Sequence, residues 1–162
     1  MISKNVIKKI AHWILLSLII IFIAIQFIRP DRSNISGQTL QTDISKTFNI
    51  PDSEFSILKN ACYDCHSNNT NYPWYSNIQP VGWLLAQDIK NGKAQINFSE
   101  FGSLSRRRQI SKLRGIENQI KDGTMPLPAY RLLHKQAQLT TEQKKLLINW
   151  FRETRDSISL NK

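Results

Sequence analysis

Cys62-Tyr63-Asp64-Cys65-His66 gathers most of the reactive side chains of this 162-residue chain. Cys62 and Cys65 are its two cysteines, and His66 is one of its three histidines. Thiols three residues apart on a helical turn leave from nearly one face. Both sulfurs can then reach the two vinyl groups on one side of a porphyrin and close two thioether bonds. His66 falls under the ring, where its imidazole can bind iron as the proximal ligand. C-x-x-C-H is the sequence form of such an attachment, so the pattern predicts one covalent haem c with its iron. Two other chemistries compete for these residues. One is a short-loop disulfide or redox C-x-x-C pair. The other is zinc, which takes four protein ligands in a closed structural site. Cys62, Cys65 and His66 would then need His134 or a carboxylate, and the sequence shows no second ligand pair.

Met125 is the one methionine besides the initiator, within Gly123-Thr124-Met125-Pro126-Leu127-Pro128. A thioether sulfur is a soft ligand that suits haem iron opposite histidine. Prolines on its far side present it stiffly, and Met125 is the expected sixth ligand. A methionine filling a core gap is the plain alternative, and His134 is the competing ligand. Trp74 and Tyr75, in Tyr72-Pro73-Trp74-Tyr75, are expected to wall a haem edge and donate to a propionate. Ordinary packing with polar tips at the surface competes with that role. No Ser/His/Asp arrangement or Gly-rich phosphate loop appears, and no catalytic residue is assigned.

Helices must position these groups. A first domain helix is expected from residues 51–53, capped by Asp52 or Ser53, with Glu54 in its first turn. Phe55, Ile57 and Leu58 form its apolar side, and it runs into the cysteine motif, which sits at its C-terminus. Pro80 opens a second helix, with Val81, Trp83, Leu84, Leu85 and Ile89 on its buried side. Asn91-Gly92 is expected to end it. A third spans about 103–121, with Ile110, Leu113, Ile116 and Ile120 near one face, and Asp122-Gly123 stops it. The last starts where Thr140 and Gln143 stand in capping-box spacing. Its stripe is Leu146, Leu147, Trp150 and Phe151, and residues after Asp156 are expected to fray.

Residues 10–28 hold no charge. As a helix their 19 residues span roughly 28 Å, close to a bilayer's hydrocarbon core. Lys4, Lys8 and Lys9 before them favour a cytoplasmic N-terminus. The expectation is a single-pass anchor in the inner membrane, in contact with the lipid bilayer, with the following domain in the periplasm. A cleaved signal peptide is the rival, but no small-x-small step precedes Arg29-Pro30. Residues 29–50 carry turn formers without apolar periodicity and read as a tether. The expected division is 1–28 anchor, 29–50 tether, 51–156 haem domain and 157–162 tail. The net charge is +10. Without the three lysines before the anchor about +7 remains, which suits an acidic redox partner protein. The basic residues are scattered apart from Arg106-Arg107-Arg108, which reads as a solvated helix face. No nucleic-acid-binding fingerprint accompanies them, so nucleic acid is not an expected partner.

The order of these features resembles a membrane-anchored c-type cytochrome. More closely, it resembles the bacterial haem-binding domain family related to cytochrome c. The resemblance rests on Cys62, Cys65, His66, Ser67 and Asn68, on Tyr72-Pro73-Trp74-Tyr75-Ser76, and on Pro80-Val81 with Trp83. It continues through Asn97-Phe98-Ser99, Gly123, Met125-Pro126-Leu127, Tyr130 and Trp150. It covers roughly residues 35–155. It implies an all-α, cytochrome c-like haem domain behind one transmembrane helix, with His66 proximal and Met125 in the distal place. The resemblance itself names haem binding; the role expected for a tethered, single-haem domain of this kind is one-electron transfer. A haem-based redox or gas sensor would need a vacant or weakly held sixth position. A haem peroxidase would need a distal acid-base pair, which the sequence does not offer.

Overall fold

The structure is a computed structural model that describes residues 4–160. The chain is all-α, as expected. In order the helices are α1 (Lys4–Ile25), α2 (Ile44–Thr47), α3 (Asp52–Ala61), α4 (Tyr63–His66), α5 (Val81–Gln95), α6 (Arg106–Lys121), α7 (Pro128–Leu133) and α8 (Thr141–Leu160). Short 3-10 turns at Trp74–Asn77, Phe98–Ser103 and Lys135–Ala137 link them. Among the described residues, extended pairing is limited to the bridge between Ile35 and Asn69. Two compact units result. One takes the residues up to Arg32 together with Tyr72–Asp88, the other takes Ser33–Asn71 and the residues from Ile89 onward.

The first unit contains α1, which is long and apolar enough to cross a membrane and buries none of its residues. After α1 the Gln26 amide grips the Gln79 backbone twice. Its Nε2 donates to Gln79 O at 3.1 Å, and Gln79 N donates to its Oε1 at 2.9 Å. Trp83 Nε1 donates to Ile28 O at 2.8 Å. These bonds hold the end of the apolar helix to the start of α5.

The second unit has its core on α3, α6 and α8. Leu58, Phe98, Phe101, Leu113, Leu147 and Phe151 are buried at its centre. Thr140 and Gln143 form the expected capping box, with each side chain bonded to the other's backbone N–H. Between α6 and α8, the carboxylate of buried Glu117 takes Arg155 Nη1 at 2.6 Å. Three boundary expectations give way to tertiary packing. The stretch 29–50 is not wholly a tether: Asp43 caps α2, and Ile44 is fully buried in the core. Helix α8 does not fray at 156 but continues to Leu160. There Ile158 packs in the core, and Arg106 bonds the carbonyls of Ile158 and Ser159. Helix α5 does not stop at Gly92 but continues to Gln95, with consequences for the site.

Candidate functional site

Helix α3 ends at Ala61, and Cys62, at φ −128° and ψ −38°, breaks it from α4. The motif then makes one tight turn, in which Cys65 N and His66 N both donate to Cys62 O, at 3.2 and 3.0 Å. As expected, the motif occupies a helix C-terminus. The two sulfurs are not joined in a disulfide. Burial, and then the neighbouring Cys65, push the Cys62 thiol up to about 12, so at neutral pH it carries its proton.

His66 is held by backbone carbonyls in the last turn of α5 and just past its end. Its Nδ1 lies 3.0 Å from Gly92 O and 3.1 Å from Ile96 O. Two carbonyl acceptors on one ring nitrogen require a proton there, so Nδ1–H donates and Nε2 keeps its lone pair. Burial pushes the pKa of His66 down, against the pull of the two carbonyls, and favours the neutral ring. A neutral imidazole with one nitrogen anchored and the other bare is the state that ligates a metal. Phe98 packs against its ring at 5.8 Å between centroids.

Gly92 makes this approach possible. A Cβ there would fall 2.7 Å from Cys65 O and 3.3 Å from His66 Cε1. The glycine that local sequence reads as a helix stop is therefore a helix-interior glycine, selected by close approach of the motif.

His66 and Cys62 line a cavity of about 360 Å³, within the usual size range for small-molecule sites. Met125 lines the same cavity, together with the apolar side chains of Ile96, Phe98 and Ile120. The structure thus gathers His66 and Cys62 of the motif and the distant Met125 around one cavity. The Met125 loop is fixed at both ends. Before it, Thr124 N and Met125 N donate to Gln119 O at the end of α6. After it, Tyr130 Oη on α7 donates to Asp64 Oδ2 at 2.7 Å. Asp64 stands between the two cysteines, so this bond ties the methionine loop to the motif itself. Neither this clasp nor the Gly92 and Ile96 carbonyls could be read from residue types, because both are long-range pairings.

Cys65 does not line the cavity; its backbone packs on Gly92. His134 does not line it either. Its ring is buried and stacks on Tyr130 at 4.0 Å between centroids, and burial lowers its pKa. Trp74 and Tyr75 belong to the first unit, on the 3-10 turn Trp74–Asn77, where Tyr75 is buried and Trp74 exposed. Among the described residues no three His, Cys, Asp or Glu side chains converge as a metal cluster.

An all-α domain with an anchored imidazole facing an apolar cavity, and a thioether lining that same cavity, is suited to a flat, iron-bearing cofactor. The profile of the haem-binding domain family matches residues 20–153, and the chain belongs to that family. No curated protein and no solved structure matches the chain. The residues present fit a haem: His66 offers a bare Nε2, and the cavity walls are largely apolar.

Proposed function

We propose that the domain carries one haem c and serves as a cytochrome c-like one-electron carrier. Thioether bonds to Cys62 and Cys65 attach the group, His66 Nε2 is the proximal ligand, and Met125 Sδ is the distal one. The observation that carries this reading is the double carbonyl hold on His66 Nδ1, with Cys62 and Met125 lining the cavity His66 faces. Haem iron held this way supplies a one-electron couple.

The residues set the terms of that couple. The Gly92 and Ile96 carbonyls fix the imidazole and raise its basicity as a ligand. Ile96, Phe98 and Ile120 exclude water from the iron's surroundings. A methionine ligand raises the potential relative to a second histidine and closes the sixth position to substrate. Helix α1 spans the inner membrane in this reading, with Lys4, Lys8 and Lys9 on the cytoplasmic side and the haem domain in the periplasm. The excess of positive charge steers encounter with an acidic redox partner protein.

The test is a redox titration of the full chain after maturation in a host that attaches c-type haem. A one-electron transition is expected, with slow carbon monoxide binding and no peroxide turnover. Rates of electron exchange with an acidic cytochrome partner should fall as salt rises. Rapid carbon monoxide binding by the wild type would favour a sensor, and sustained peroxide turnover would favour an enzyme.

A further inference from the structure

Lys112 is the one charged side chain lining the cavity. It is half-buried on α6, and among the described residues no carboxylate stands in ion-pair range of it. The other walls near it are apolar or neutral. A lysine bordering such walls with no carboxylate near it is free to meet an anion placed in the cavity. Three residues along the same helix face, Gly115 also lines the cavity, and a Cβ there would meet no atom within 4 Å. A glycine in a helix interior costs about 1 kcal/mol relative to alanine. Neither a positive φ nor a close approach within the chain calls for it, unlike Gly92. The α6 wall therefore combines an open strip with one unmatched positive charge beside it.

Haem has two chemically distinct regions, an apolar ring and a pair of carboxylates. The geometry points to Lys112 as the anchor of a haem propionate, with Gly115 leaving room for the ring beside it. This inference rests on the haem-site reading and names the chain's group that meets the carboxylate side of the ring. Nothing in the motif fixes that contact, because the cysteines hold the vinyl side of the ring.

The test uses the full chain carrying Cys62→Ala and Cys65→Ala, so that haem affinity can be measured, with protohaem and its dimethyl ester as probes. Lys112→Gln should weaken protohaem binding about fivefold, the upper end for a partly exposed charge pair. It should leave the ester unchanged, and Lys112→Arg should restore protohaem binding. Arg107→Gln removes an exposed charge from the same helix and should alter neither. The matured wild-type chain gives a second readout, in which Lys112→Gln lowers the midpoint potential and Arg107→Gln does not. Equal weakening of both probes, or no effect on protohaem, overturns the propionate assignment. If the double-alanine chain binds neither probe, an unmoved potential in the matured Lys112→Gln protein overturns it instead. A colourless matured wild type would defeat the haem-site reading itself, a result distinct from a coloured protein indifferent to Lys112.

Discussion

His66 and Met125 face one cavity, but the chain holds them by different means. His66 is gripped by main-chain carbonyls in the last turn of a long helix and just past its end, its ring is half-buried, and it follows directly on the cysteines that precede it. Met125 sits on a loop, tied upstream to the Gln119 carbonyl and downstream by one side-chain bond from Tyr130 to Asp64. Backbone acceptors cannot be removed by substitution, whereas a hydroxyl can. The histidine side is thus built for permanence and the methionine side for adjustment. In the proposed carrier, attachment and retention belong to the first side, while potential and access to the iron belong to the second.

Removing His66 should break the comparison most severely. His66→Ala is expected to reduce haem content of the matured protein at least tenfold, read by absorbance per protein. A coloured His66→Ala protein with normal spectra would shift the proximal role elsewhere. Met125→Ala should leave haem content nearly intact, lower the potential and open the iron to carbon monoxide. If it behaves as wild type in carbon monoxide titration, Met125 is only a packing residue.

A smaller effect is expected at Gly92. Gly92→Ala puts a methyl group against the Cys65 carbonyl and the His66 ring, and overpacking of this kind costs about 1–3 kcal/mol. Thermal unfolding should show that loss, with reduced haem content. An unchanged melting temperature would mean that α5 can move aside without loosening His66. The smallest effect belongs to Tyr130→Phe. Loss of its bond to Asp64 should cost about 1 kcal/mol. It should weaken the methionine–iron absorption band while haem content stays constant. Equal loss of band and haem would show that the clasp supports the whole fold rather than the methionine loop.

The cysteine motif, the helical class and the capping box of α8 were legible from residue types alone, because each is local. So was Met125 as a candidate, since one soft ligand in a proline-flanked loop is easily singled out. Other features depend on distant contacts. Gly92 reads locally as punctuation, and only the packing of Cys65 against α5 reveals a glycine that must lack a side chain. Ile44 lies in a stretch of turn formers, and nothing nearby in sequence marks it as core. Ile158 looks like part of a fraying end until Arg106, more than fifty residues earlier, is seen to bond the carbonyls there. The charge on Lys112 is unremarkable in a basic chain; its place in the cavity is what distinguishes it.

Covalent capture of haem by the motif is the claim on which the other assignments lean. A haem-stained denaturing gel of the matured full chain, beside its Cys62→Ala/Cys65→Ala counterpart, tests it most directly. The account predicts a stained band at the size of the wild-type chain and none for the double variant. Wild-type protein that runs unstained, or a double variant that stains as strongly, would contradict it.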